Sequence, residues 1–154
     1  PTAYRAFASL AMKDIRISDH ANWRHVHWNA LNDSTKIKLR RYPRTEDFAP
    51  SKESHRITLD ADKVSFPLTY RLTVQGDRFL PFGMKGTKLI SDYLTDRKRN
   101  YMEKMSQHVL TDKEGEIIWL IGERTSDRCK ITPSTQSILE IEMMDNPDAP
   151  QKRK

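Results

Sequence analysis

The sequence predicts a β-rich α+β fold of short, mostly antiparallel strands with one or two helices. Three observations predict it. Apolar and polar residues alternate in many short runs, turn-forming residues separate those runs, and only Leu89–Leu94 spaces its apolar side chains like a helix. The 154 residues suffice for one domain, or for a domain with a lead-in. Apolar residues make up 36% and charged residues 31%, so a modest core lies under a highly charged surface.

The elements follow in chain order. Tyr4–Met12 is apolar and reads as helix or strand. Asp14–Ile17 and Trp23–Trp28 alternate as half-buried strands do, and Asn32-Asp33-Ser34 signals a turn. Lys36–Arg40 alternates cleanly, which turns Ile37 and Leu39 inward. Pro43–Lys52 is polar with two prolines and reads as loop. His55–Leu59 is a strand with Ile57 and Leu59 on one face, and Asp60-Ala61-Asp62 is a turn. Leu68–Val74 follows, with Leu68, Tyr70, Leu72 and Val74 on one side, and Gly76-Asp77 closes it.

Gly83-Met84-Lys85-Gly86-Thr87 is a small glycine-bearing loop. Thr87 is placed to cap a helix carrying Leu89, Ile90, Tyr93 and Leu94 on one face. Arg97–Lys104 extends this as a second short helix. Gln107–Thr111 and Glu116–Ile121 form a hairpin across Asp112-Lys113-Glu114-Gly115. Arg128–Ile131 and Ile138–Glu142 add two strands separated by Thr132-Pro133, and from Asp145 the chain reads as a disordered tail. The expected organisation is a lead-in over residues 1–50, a domain over 51–142 and a basic tail over 143–154. The chain opens on Pro1, so a piece of a longer protein is expected.

The net charge is +6, which is compatible with a polyanionic partner, because Lys and Arg gain free energy by displacing counterions from phosphates, and equally with a merely soluble basic domain. The basic residues fall into three clusters. One holds Arg78, Lys85, Lys88, Arg97, Lys98 and Arg99, against Asp77, Asp92 and Asp96. Another holds Lys36, Lys38, Arg40, Arg41 and Arg44. The third holds Arg124, Arg128 and Lys130, interrupted by Asp127. In the glycine loop, backbone N–H groups at a helix start and the charge of Lys85 and Lys88 suit a phosphate.

Other chemistry is sparse. His25 and His27 share a strand face but lack the further ligands of a closed zinc site, so no metal is expected. Cys129 stands alone between Arg128 and Lys130, without a matched base for nucleophilic work. Trp119 sits in an apolar strand and reads as core. The sequence contains neither a P-loop nor a Gly-x-Ser-x-Gly elbow, and no apolar run has the length of a membrane span. No catalytic residue is expected.

Several segments, in order, resemble the C-terminal domain of the tRNA-isoleucine lysidine synthetases. They are Asp60–Lys63, Gly76–Lys88, Leu89–Leu94, Trp119–Arg124 and Asp127–Thr132, within residues 55–142. Pro81-Phe82-Gly83-Met84-Lys85-Gly86 is the most distinctive. Cys129 departs from the family, where phenylalanine is usual, and residues 1–50 match weakly.

The resemblance implies a parent ligase that attaches lysine to the wobble cytidine of isoleucine tRNA. ATP, with magnesium, is consumed in an N-terminal catalytic domain bearing a Ser-Gly-Gly-x-Asp-Ser loop, which is absent here. No cofactor is expected in this chain itself. The resemblance also implies a tRNA-binding fold shared with part of a phenylalanyl-tRNA synthetase subunit, and a cytoplasmic location. Its implied task is engagement of the tRNA acceptor stem, an A-form duplex read through shape, phosphates and 2′-hydroxyls. The residues expected to make those contacts are Arg78, Lys85, Lys88, Arg124 and Arg128, with Arg97 and Arg99 behind them. The expected partners are tRNA, the chain's own catalytic domain and a second copy in a homodimer. Two alternatives remain open. One is an interaction module that packs on the catalytic domain or a dimer partner without touching RNA. The other is a small enzyme using His25, His27 or Cys129.

Overall fold

The computed structural model describes residues 15–17, 27–31 and 35–145, with residues 27–30 and 145 by backbone alone. The Tyr4–Met12 element, His25, the side chain of His27, most of the Trp23–Trp28 strand, the Asn32–Ser34 turn and residues 146–154 of the expected tail lie outside the described residues. The chain divides into two compact units, one formed by Pro1–Ser18 with Ser65–Arg128, the other by Asp19–Val64 with Cys129–Lys154.

In the first unit, five antiparallel strands form one sheet. They are β1 (Ile15–Ile17), β5 (Leu68–Leu72), β8 (His108–Thr111), β9 (Ile117–Leu120) and β10 (Arg124–Thr125), hydrogen-bonded in that order. Val109 lies opposite Leu120 and Leu110 opposite Trp119. All four are buried, so β8 and β9 carry apolar side chains on both faces rather than alternating. The expected hairpin turn is present, with the Asp112 carboxylate accepting from the N–H groups of Glu114 and Glu116 at 2.9 and 3.0 Å. A two-stranded ribbon, β6 (Arg78–Phe79) with β7 (Lys88–Leu89), leads into helix α1 (Ile90–Asp96). Ile90, Tyr93 and Leu94 of that helix join Phe79, Val109, Ile117 and Leu120 in one apolar cluster. Helix α2 (Tyr101–Met105) starts on a capping box. Asn100 accepts from the Glu103 N–H and the Glu103 carboxylate accepts from the Asn100 N–H.

Three expectations in this unit are corrected. Val74 is 55% exposed and Thr73 is buried, because β5 ends at Leu72 and the Thr73 N–H turns to the Gln107 carbonyl at 3.0 Å. Thr87 does not cap α1. Residues 88 and 89 are drawn into the ribbon, Leu89 occupies the cap position without a side-chain bond, and the Ile90 N–H donates to the Asp77 carbonyl at 2.9 Å. Arg128 and Cys129, expected to open a strand over Arg128–Ile131, lie instead in a short 3-10 turn over Asp127–Cys129.

The second unit is built on a four-stranded antiparallel sheet ordered β2 (His27–Ala30), β3 (Thr35–Pro43), β11 (Ser137–Asp145), β4 (Arg56–Asp60). Ile141 sits between Leu39 and Ile57, and Leu139 faces Leu59; all five are buried. Side chains two residues apart share a face, so Ile37 joins them as the alternation predicts. The other face is a charge ladder. Glu142 pairs with Lys38 at 3.4 Å, and the buried Glu140 meets Arg40 at 3.9 Å and Arg56 at 3.6 Å. The Tyr42 hydroxyl also donates to Glu140, at 3.3 Å. Asp60 caps a 3-10 turn over Ala61–Lys63 and accepts from the Thr135 hydroxyl at 2.8 Å. Strand β3 lies inside the range read as a lead-in, yet it pairs along its whole length with β11, which itself runs past residue 142 to Asp145.

Two outcomes follow from this packing. Ile141→Ala should destabilise the chain by about 2–5 kcal/mol, read from urea denaturation, because it opens a cavity between two paired strands. His108 stacks on Tyr70 with centroids 4.5 Å apart and planes 5° from parallel. Burial pulls its pKa below the ordinary 6.5, partly opposed by the bond to the Ser106 carbonyl, and pushes the Tyr70 hydroxyl up to about 12. As pH falls, the unfolded chain takes up the His108 proton first. The stability contributed by neutral His108 is therefore full above about pH 6.5 and lost as pH drops through its lowered pKa. The urea midpoint should fall across that window, and a His108→Gln variant should lose this component.

Candidate functional site

The expected contact residues all belong to the first unit, and the loop between β6 and β7 organises them. Before β6, the Asp77 carboxylate receives two bonds from Arg71, at 2.9 and 3.1 Å, and one from the Val74 N–H at 2.8 Å. That fixes the turn at Gly76 and the start of β6. After β6 the backbone is tied to the segment following β9. Phe82 N–H donates to the Thr125 carbonyl at 2.9 Å, Asp127 N–H to the Leu80 carbonyl at 2.8 Å, and Gly83 N–H to the Asp127 carboxylate at 3.0 Å. Met84 N–H closes a turn onto the Pro81 carbonyl at 2.9 Å. Gly83 has φ of 85°, a conformation that a side chain disfavours, so glycine is required at this corner. The loop thus holds its shape through its own backbone, and it presents Phe82 and Met84 outward, 50% and 38% exposed.

The cations divide by their partners. Among the described residues, Arg78, Lys85 and Arg124 have no carboxylate at ion-pair distance. Arg78 is held instead by Thr87, donating to its hydroxyl at 3.2 Å and its carbonyl at 3.3 Å. Arg124 donates to the Phe82 carbonyl at 3.2 Å and lies 5.9 Å from the centre of the Tyr93 ring. Lys85 is exposed on the loop. The other four carry carboxylates. Lys88 pairs with Asp96 and lies 6.0 Å from the same Tyr93 ring. Arg97 and Arg99 both grip Glu123, at 3.3 and 2.7 Å, and Arg128 meets Glu116 at 3.5 Å.

Lys88 and Arg124 therefore converge on Tyr93, a ring itself set edge-on to Phe79 at 5.4 Å. Arg97 and Arg99 converge on Glu123, the residue before Arg124. Arg128 is held separately, at Glu116. Sequence reasoning missed Tyr93 as the shared ring, Glu123 as the shared carboxylate and Phe82 as an exposed aromatic. Only Glu123 left a local signal, its place between Gly122 and Arg124.

The helix-start phosphate site expected at the glycine loop is corrected. Helix α1 begins beyond the loop and has only 7 residues, and its first N–H is already bonded to Asp77. The second basic cluster is largely committed within its own unit, with Lys38 and Arg40 on the charge ladder and Arg44 donating to the carbonyls of Thr132 and Thr135 at 2.7 and 3.2 Å. Cys129 is buried and directs its sulfur to the Lys63 carbonyl at 3.7 Å. Trp119 is 1% exposed, a core residue as expected.

Comparison with known proteins gives a consistent result. The chain is 42% identical over 100 residues to the tRNA(Ile)-lysidine synthase of Parabacteroides distasonis and 45% identical over 95 residues to that of Bacteroides thetaiotaomicron. These matches cover 65% and 62% of the chain, but the chain spans only 23% and 22% of those relatives. The crystal structure of a TilS C-terminal domain superposes with a TM-score of 0.63 at 21% identity, covering 86% of this chain and 98% of that one. An N-terminal fragment of the phenylalanyl-tRNA synthetase β-subunit from Pyrococcus horikoshii gives a TM-score of 0.50 at 20% identity, over 57% of this chain and 27% of that one. These two structures establish the shared fold. No family model matches the chain.

The two kinds of cation should separate in stability measurements. Arg99→Ala removes the shorter bond to Glu123, whose side chain is only 7% exposed, and should cost about 1–2 kcal/mol in urea denaturation. Arg78→Ala, at an exposed position held by neutral oxygens, should stay within about 0.5 kcal/mol of the parent.

Proposed function

We propose, starting from the chain's homology to the C-terminal region of the tRNA(Ile)-lysidine synthases, that it is a tRNA-binding domain that positions substrate for a catalytic domain elsewhere in the same enzyme. The observation that carries the reading is that Arg78, Lys85 and Arg124, which have no carboxylate at ion-pair distance among the described residues, gather on and beside one pinned loop. A cation already paired with a carboxylate must give up that partner to reach a phosphate, whereas these three need not. Arg78, Lys85 and Arg124 are the leading contacts. Lys88 and Arg128 join them at the cost of exchanging surface ion pairs worth about 0–1 kcal/mol each, while Arg97 and Arg99, which share the largely buried Glu123, stand behind them.

The ligand that suits this arrangement is an A-form RNA duplex such as the tRNA acceptor stem. Its phosphates and 2′-hydroxyls are accessible while its major groove is closed to side chains. Such contacts position the RNA without reading its sequence. The chemistry, adenylation of the wobble cytidine by ATP with magnesium and displacement by lysine, then belongs to the catalytic domain, and the whole enzyme acts in the cytoplasm. Binding far from the reacting base raises the effective concentration of the anticodon at that catalytic domain.

Binding of the 154-residue chain to isoleucine tRNA should weaken steeply with salt, its logarithm falling by about 0.7–0.9 per phosphate neutralised. Lys85→Ala and Arg124→Ala should each lower that slope by about one. Fluorescence anisotropy over a salt series reads both quantities. Absence of tRNA binding at low salt, or an unchanged slope in both variants, defeats the proposal.

A further inference from the structure

We propose that Phe82, with Met84 on the same loop, is a stacking platform for an exposed nucleobase face of the bound RNA. This rests on the RNA-binding reading above and adds a contact of a different physical kind.

Phe82 is 50% exposed and Met84 38%, and a ring left in water forgoes the stabilisation that burial would supply. Looseness does not account for the exposure. The Phe82 N–H and carbonyl are both bonded, to Thr125 and Arg124, and the next two N–H groups are bonded to Asp127 and Pro81. The fold thus fixes the backbone on both sides of an apolar side chain and aims that side chain at solvent.

The setting selects the partner. Among the described residues, Lys85 on the loop, Arg124 bonded to the Phe82 carbonyl and Arg78 bonded to Thr87 at the loop's end have no carboxylate partners. The Asp127 carboxylate lies against the loop, and one of its oxygens receives the Gly83 N–H. An apolar platform ringed by available cations complements a ligand with flat apolar faces and a phosphate backbone. Within an intact duplex every base face is covered by its neighbours. The occupant is therefore a terminal base pair or an unpaired nucleotide next to a duplex.

The test measures affinity of the 154-residue chain for three RNAs: a blunt duplex, the duplex with a single-stranded 3′ extension, and the same extension made abasic. Phe82→Ala should weaken binding about five- to tenfold without changing the salt slope, while Phe82→Trp retains affinity. A loss seen on all three RNAs assigns the terminal base pair. A loss that requires the bases of the extension assigns an unpaired nucleotide. An unchanged urea midpoint for Phe82→Ala shows that the fold is intact, and Met84→Ala provides a second variant with a smaller loss. If the parent chain binds RNA and Phe82→Ala binds all three as tightly, the platform is refuted while the RNA-binding reading stands. The platform is refuted in the same way if Phe82→Ala changes only self-association or docking to a catalytic domain. If the parent chain binds no RNA, both readings fall together.

Discussion

The shape of the loop between β6 and β7 depends on one backbone tie, between residues 80–83 and residues 125–127. The bonds Asp127 to Leu80 and Phe82 to Thr125, with the isolated bridge between Pro81 and Ser126, extend strand-like pairing beyond the ends of β6 and β10. Each such bond contributes about 1 kcal/mol net, while ordering each loop residue costs about 1–2 kcal/mol. The tie alone does not hold the loop. It succeeds because Phe79 and Tyr93, packed edge to face beneath it, anchor the ribbon and α1 in the apolar cluster. Loop geometry is thereby coupled to core packing, and Lys88 and Arg124, both near the Tyr93 ring, inherit their positions from it.

The second unit manages charge in the opposite way. Along β3 and β11, direct cross-strand register sets Lys38 against Glu142 and Arg40 against Glu140, so a run of basic residues is balanced strand to strand. A basic cluster in sequence is thus no measure of available charge, because register decides whether each cation meets an acid.

That difference explains what was legible in the sequence. Turn signals bounded β8, β9 and the middle of β11, and alternation located β3, β4 and β5, because a period of two is a local property of the chain. It turned Ile37, Leu39, Ile57 and Leu59 inward correctly. It failed where a distant segment competes for the backbone. Lys88 and Leu89 look like the first turn of a helix, but Arg78 and Phe79 draw them into a ribbon, and Thr87 goes to Arg78 rather than to a cap. Val74 has the right parity for the core, but the strand ends before it. Among the residues proposed to meet RNA, sequence identified the basic side chains. It could not distinguish paired from available ones, since Glu123 and Glu116 are brought to their arginines by the fold of the chain.

Holding a cation in place without neutralising it is a separate physical problem. A carboxylate orients a guanidinium strongly but cancels its charge toward an incoming phosphate. A hydroxyl or carbonyl oxygen supplies a weaker hydrogen bond, and it leaves the full positive charge and the remaining donors of the five free. Arg78 on Thr87 and Arg124 on the Phe82 carbonyl use the second solution. Arg97 and Arg99 on the mostly buried Glu123 use the first. At Glu123 burial favours the first solution, because a nearly buried carboxylate demands compensating charge. Within one unit, then, some arginines satisfy the fold, and others are oriented by the fold yet left electrostatically unspent.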